Sequence, residues 1–407
     1  MRIIADFHIH SKYARATSPK LTIPNIAAAA KIKGINLIGT GDFTHPKWIA
    51  EIEDNLKLEK NGFYTLKSGE YPDVYFVPTA EVASIYTDRG KCRRIHTVII
   101  APTIEAVKKI NQEFSKRANL YSDGRPITGI PVKEIVRTVL DIEPRSLIVP
   151  AHIWTPWFAV LGSKSGFDSV EECFEEFSDK IYAVETGLSS DPEMNWQLSS
   201  LDKYTLISNS DAHSLGNLGR EANVFEIPEE EFGYDEIYRI LKEKDQKRFK
   251  FTIEYFPEEG MYHFDGHRNC NVSMSPEQSQ KINNICPVCG KEFTLGVLHR
   301  VTALADRPLG YVPTDSIGVK KLMPLDEIIS KAIGVGEKSK AVQGMYDKFI
   351  AEFGAEYPLL LGAEISEIKK LSPRIAEAIQ KVREEDLKIK PGYDGSYGEV
   401  EIFNDLK

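Results

Sequence analysis

A chain of 407 residues, 42% hydrophobic and 27% charged, has an ordinary globular composition and the length of two or three domains. No run of about 18 apolar residues occurs, so no membrane-spanning helix is expected, and five cysteines, an odd and low count, argue against a disulfide framework. The net charge of -9 lacks the basic footprint of a generic nucleic-acid binder, although carboxylates gathered around bound cations produce the same balance. Charge arrives within the first residues, too early for a secretory signal, and a cytoplasmic location is expected.

To about residue 240, short apolar strands alternate with helical stretches. Strands are expected at Ile3–His8, Asn36–Gly41, Val74–Pro78, His96–Ile100, Leu147–His152, Tyr182–Glu185, Thr205–Ser210 and Asn223–Ile227. Helices are expected at Ile23–Lys33, where Thr22 and Pro24 mark the start, and at Ile104–Ala118, Pro131–Asp141 and Asp235–Lys244. Such alternation predicts an α/β domain with a largely parallel sheet or barrel over residues 1–245. Residues 246–312 are turn-rich, with little periodicity. Residues 313–407 turn helical again, at Leu325–Ile333, Ser339–Phe353 and Ile365–Glu384, before a Gly-rich loop and a short strand at Val400–Phe403.

The polar residues at the strand ends carry the chemistry. His8 and His10 lie i, i+2 at the end of the first strand, a spacing that points both rings to one face. Asp42 follows the second strand, and Glu81 follows Val-Pro-Thr-Ala. His96 opens a strand and His152 closes one. Asp211 and His213 close another, again at i, i+2. In parallel α/β architectures ligands bind at the carboxyl ends of strands. One edge would therefore collect eight nitrogen and oxygen donors, enough for two or three metals, and mixed imidazole and carboxylate suits zinc, manganese or iron.

In this order the set resembles the PHP (polymerase and histidinol phosphatase) superfamily over residues 1–240. The resemblance implies a distorted (β/α) barrel with a trinuclear metal centre that hydrolyses phosphoesters. Two departures stand out. Where the superfamily commonly has Asp-His, this chain reads Gly41-Asp42-Phe43-Thr44-His45; Phe43 cannot bind a metal, so Asp42 is the expected ligand, with His45 a substitute. The His or Asp often found shortly after the first motif is replaced by Ala14-Arg15-Ala16, which leaves the third metal site altered or weak.

His267-x-x-Cys270 and Cys286-x-x-Cys289 are separated by 15 residues. Two such pairs can fold around one tetrahedral zinc, in the segment poorest in core periodicity. His263 is a rival fourth ligand that fits the spacing less well. In the tail, Gly334-x-Gly336 opens a helix near Lys338 and Lys340, a faint likeness to a helix-hairpin-helix that holds DNA phosphate.

The combination of barrel, Tyr262-His-Phe-Asp-Gly-His-Arg268, Cys286-Pro-Val-Cys-Gly and Leu304-Ala-Asp-Arg307 resembles the endonuclease Q family along nearly the whole chain. What this implies is DNA repair: a nick on the 5′ side of uracil, hypoxanthine, xanthine or an abasic site. It also implies two or three divalent ions (Zn, Mn or Mg) in the barrel, one structural zinc, and damaged DNA as partner. A base inside a duplex has to leave the stack, and Trp154, Trp157 and Phe158, just after His152, are expected to stack on a base or wedge the duplex. Arg93, Arg94 and Arg220 are expected at phosphates. Repair enzymes of this kind often bind a sliding clamp, but no clear clamp-binding motif occurs. The rival readings are a small-molecule phosphatase of the same superfamily, which gives no reason for the zinc knuckle, and a DNA-binding scaffold without catalysis, against which the near-complete donor set argues.

Overall fold

The computed structural model describes residues 1–403. Strands β1 (Arg2–Asp6), β2 (Leu37–Gly39) and β3 (Tyr75–Val77) run parallel, and their apolar residues are buried as a sheet covered on both faces requires. Beyond Pro78 the chain enters a long hairpin, β4 (Thr79–Asp88) and β5 (Lys91–Ile100), and β6 (Leu147–Pro150) pairs antiparallel to β5. Strands β7 (Ala183–Glu185) and β8 (Thr205–Ile207) are again parallel. Past β6, Ile153 N–H donates to Glu185 O at 3.0 Å; past β8, His10 N–H donates to Ala212 O at 3.0 Å, closing the ring against β1. The result is a distorted barrel, parallel as expected except at the hairpin. There β5 runs opposite to β4 and β6, and it begins at Lys91, so His96 does not open its strand as expected but stands in the middle of it, paired with Ala83.

The sheet also grows outward. Strand β9 (Ala222–Glu226) pairs antiparallel to β1, β10 (Phe249–Glu254) antiparallel to β9, and β11 (Gly318–Lys321) parallel to β10. The expected first segment, residues 1–245, therefore takes its last two sheet strands from later chain.

Helix Ile23–Lys33 forms as expected, with Pro24 in the first turn and Gly34 at φ 85° ending it. The helix Pro46–Asn55, also opened by a proline, and the helix Glu356–Gly362 lie outside the expectations. The expected helix Ile365–Glu384 is two, Ile365–Leu371 and Pro373–Arg383: Pro373 cannot continue the first, and Ser372, in extended backbone, caps the second through Ile375 N–H. The tail is fastened to the barrel by a buried ion pair, Lys33 Nζ to Glu356 Oε2 at 2.8 Å, and by Tyr357, whose hydroxyl donates to the Gly219 carbonyl. Barrel residues Ile35 and Leu218 share one apolar core with Ile328, Ile375 and Ile379 of the tail. No helix among the described residues is long and apolar enough to cross a membrane.

Candidate metal centre and active site

Two groups of donors meet at one carboxylate. His8 Nε2 lies 3.6 Å from both Glu81 Oε2 and Asp211 Oδ1, and His10 Nε2 lies 3.4 Å and 2.9 Å from the same two oxygens. On its other side, Glu81 Oε1 is 2.6 Å from His96 Nδ1 and 3.2 Å from His152 Nε2. The strand register produces this: Ala83 pairs with His96, so Glu81, two residues away on β4, projects from the same face. Thr97 opposite Pro150 then sets His96 beside the chain leading to His152.

The donors fit ions. A tetrahedral ion with bonds of about 2.1 Å sets its ligands about 3.4 Å apart, and His8 Nε2 is buried with no hydrogen-bond partner, a costly arrangement unless something binds it. Behind the donors stand two more carboxylates. Both Glu185 oxygens lie 3.0 Å from His8 Nδ1; Oε2 also accepts from His152 N–H at 2.8 Å and Oε1 from Asn209 Nδ2 at 2.9 Å. Asp42 Oδ1 is 3.0 Å from His10 Nδ1, and Oδ2 accepts from Ser11 N–H at 2.6 Å. The His8 and His10 imidazoles are thus each held by a carboxylate at Nδ1 and present Nε2 to the shared space. Burial opposes the protonated form of His8, but Glu185, Glu81 and Asp211 outweigh it and raise its pKa well above the usual range; burial likewise opposes Asp42 and Asp211 around His10, with the same outcome. So much buried negative charge calls for cations.

The backbone is bent to present these groups. Asp42, His152 and Asp211 have φ of 47°, 30° and 46°, a left-handed region that non-glycine residues seldom occupy. Gly187 leaves room for this: a Cβ there would come within 2.5 Å of the His152 Cβ. Asp6 secures the Asp211 loop, accepting from Ser210 N–H at 3.1 Å and Ser210 Oγ at 2.6 Å, and from Gly219 N–H at 3.0 Å, the residue whose carbonyl Tyr357 caps. Burial pushes the Asp6 carboxyl up to about 6.

The whole chain aligns with the crystal structure of a lesion-specific endonuclease, PfuEndoQ from Pyrococcus furiosus, at 32% identity and a TM-score of 0.88, covering 96% of that chain. It aligns equally with endonuclease Q in complex with a 27-mer duplex substrate carrying an abasic lesion at the active site, at 32% identity and a TM-score of 0.86, covering 98% of that chain. The chain belongs to the endonuclease Q family. An uncharacterised Bacillus subtilis protein, YqxK, is 30% identical over 98% of this chain and 99% of its own length. The uncharacterised MJ0043 of Methanocaldococcus jannaschii is 36% identical over 253 residues, 61% of this chain, and the match spans 31% of that longer protein. The family model of the MJ0043 C-terminal domain matches residues 324–386.

Within this family frame, the knuckle residues also meet. His267, Cys270, Cys286 and Cys289 each offer a donor atom within 4.8 Å of the others, with Cys289 Sγ 3.3 Å from His267 Nδ1. The hairpin Asp265–His267 with Val272–Met274 supplies one side. A turn in which Gly290 N–H donates to Cys286 O at 2.9 Å supplies the other, Gly290 taking φ 71°. His263 lies outside the group, and its ring, buried, is pushed down to about 4. Buried Asp265 ties the module together, accepting from Gly296 N–H at 2.7 Å, His299 Nδ1 at 2.6 Å and the Ser279 hydroxyl.

The remaining residues separate. His213 stacks obliquely by His10, ring centroids 4.6 Å apart, and Nδ1–H donates to Asp211 O at 2.8 Å. His45 stacks on Tyr13 at 4.4 Å, away from both donor groups. Arg93 and Trp154 do not fit the expected DNA contact: the Arg93 guanidinium is buried over the Phe167 ring and donates to Gly166 O, and Trp154, 1% exposed, donates Nε1–H to Asn195 Oδ1 at 2.8 Å. Trp157 is 42% exposed, edge-on to Tyr262 of the knuckle segment at 6.2 Å. Arg94 lies over Phe158, which packs on His96 at 4.5 Å. Arg220 donates Nε–H to Ser210 O at 2.9 Å, bracing the Asp211 loop. Lys338 and Lys340 are exposed around Ser339, which caps the helix Lys340–Phe353.

Glu185 closes an expected strand and carries the same strand-end signal as Asp42, yet sequence reasoning passed over it. Arg125 gave no such signal. It sits in a loop, with Nη1 3.0 Å from Glu81 Oε2.

Proposed function

We propose that this chain is a metal-dependent DNA repair endonuclease that breaks the phosphodiester 5′ to deaminated bases (uracil, hypoxanthine, xanthine) and to abasic sites. The observation that carries this reading is Glu81, whose two oxygens face two separate donor groups. One carboxylate shared by two groups suits two divalent ions a few ångströms apart, the arrangement used for in-line displacement at phosphorus. His8, His10, Glu81 and Asp211 would hold one, and Glu81, His96 and His152 the other, with zinc, manganese or magnesium as candidates. Bound there, the ions supply Lewis acidity and offset the charge that builds on the phosphoryl group. Glu185 and Asp42 fix the imidazole tautomers so that Nε2 faces the ions. Asp211, the donor most open to solvent, stands where substrate would enter, with His213 beside it. Trp157 is placed to stack against a disrupted base step.

The knuckle would hold one structural zinc through His267, Cys270, Cys286 and Cys289. Its thiols must stay reduced, in keeping with the cytoplasm. The family member crystallised on an abasic duplex supports DNA as the substrate.

The test is direct. Purified protein with Mn²⁺, Mg²⁺ or Zn²⁺ is given duplexes carrying uracil, hypoxanthine, an abasic site or no lesion. A lesion-dependent nick leaving a 3′-hydroxyl and a 5′-phosphate, lost in Asp211→Asn, is expected. Turnover confined to a small phosphomonoester, or tight binding without cleavage, would overturn the reading.

A further inference from the structure

We propose that Arg125 is a catalytic residue that grips a non-bridging oxygen of the scissile phosphate, an inference that rests on the endonuclease reading above. Its guanidinium reaches the centre from outside the strand-end set. Nη1 lies 3.0 Å from Glu81 Oε2, the oxygen turned toward His8, His10 and Asp211, while the side chain keeps about a quarter of its surface open.

The loop that carries it is pinned on both sides. Before it, Gly124 N–H donates to Tyr13 O at 2.9 Å and Gly124 O accepts from Thr44 Oγ1 at 3.1 Å. The fit is close enough that a Cβ on Gly124 would stand 2.4 Å from Asp42 Oδ2. After it, Pro126 O accepts from Ala83 N–H at 3.1 Å, in the strand that bears Glu81. Asp123, the acid of its own loop, is engaged by backbone: Oδ1 accepts from the N–H of Arg15 at 3.1 Å and of Arg125 at 3.0 Å. A long, flexible side chain is thus delivered to the centre by a backbone already fixed, so little order has to be created when substrate arrives.

Among the described residues, the one side-chain hydrogen bond of the guanidinium is to Glu81, a carboxylate that a metal-loaded centre would claim. With that oxygen taken, a planar fork of five donors remains beside the centre, attracted by the charges of Asp211 and Asp123 but, among the described residues, hydrogen-bonded to neither. A phosphodiester oxygen is the ligand this fork matches. A lysine would offer the charge but not the two-point geometry.

Arg125→Met and Arg125→Lys, with wild type alongside, test this. In Arg125→Met, kcat for nicking is expected to fall by about 10²–10³-fold, the usual cost of removing one transition-state donor. KM should move much less, and metal content and thermal midpoint should stay at wild-type values. Arg125→Lys should recover part of the rate. Independently of activity, the slope of log K against log[salt] for duplex binding in chelator should shrink by about 0.9, one phosphate contact. Wild-type nicking with Arg125→Met within about threefold of it would overturn the inference alone. So would loss of bound metal in step with loss of rate, which would make Arg125 a support for Glu81. Wild-type protein that does not nick would remove the endonuclease reading, and this inference with it.

Discussion

The barrel centre and the knuckle both gather metal donors, and they do so in opposite ways. In the barrel, His8, His10 and Glu81 are buried at the ends of apolar strands, and Glu185, Asp42 and Asp6 hold the donors or their loops in place. Hydrogen bonds to carboxylates fix the donor side chains there. In the knuckle, Cys270 is half-buried, Cys289 is exposed, and Val288 between the paired cysteines is 68% exposed. Cys286 is buried, with Phe293 and Val297 nearby in the chain, but the exposed side of the turn has little apolar cover, and a zinc bound there would supply cohesion. On the proposed reading, the first site would use a folded scaffold to place a reactive metal, and the second would use a metal to obtain a scaffold.

That contrast can be broken by stripping each site. The largest effect is expected from Cys286→Ser combined with Cys289→Ser: residues 262–300 should lose protection from limited proteolysis and the thermal midpoint should drop, while a midpoint equal to wild type would show that the knuckle folds without metal. Mild chelation that removes only the barrel ions should, by contrast, abolish nicking with little change in far-UV circular dichroism. A smaller effect is expected from Glu185→Gln, which keeps a hydrogen-bond acceptor near His8 Nδ1 but removes its charge. Metal affinity, measured by competition with a chromogenic chelator, should weaken about 10–100-fold. Smallest is Trp157→Ala: affinity for lesion duplex should fall by about 1–3 kcal/mol if one base stacks there, with affinity for a small phosphoester unchanged. Equal loss on both substrates would mean that Trp157 merely packs on Tyr262.

The two regions also differed in how much their residues reveal in sequence. The knuckle is a local pattern, and His267, Cys270, Cys286 and Cys289 were readable from spacing alone because a short loop must close around one ion. The barrel donors were readable because apolar strands ending in His, Asp or Glu stand out, which picked out His8, His10, Glu81, His96, His152 and Asp211. What spacing does not encode is which donor stands in front. Asp42 satisfies the same pattern as Asp211, but its carboxylate bonds to His10 Nδ1 and Ser11 N–H. Arg93 and Arg94 are neighbours on one strand, and only the alternation of its faces decides that Arg93 is buried. Arg125 could not be read at all, because its contact depends on a loop pinned to residues 44, 83 and 13. The helix Ile365–Glu384 failed for a local reason that was legible, the Ser372-Pro373 step.

The sheet strand β11 comes from residues 318–321, and Tyr357 bonds to Gly219 across 138 residues. On a ribosome the barrel is therefore made long before the segments that finish its edge. Until they emerge, β10 shows an unpaired edge and the Gly219 carbonyl lacks its cap. Contacts this far apart in sequence slow folding and leave such edges open to other chains. The nascent protein's period of greatest exposure to aggregation should thus end only after residue 357 has left the exit tunnel, well after the last donor of the barrel centre has been synthesised.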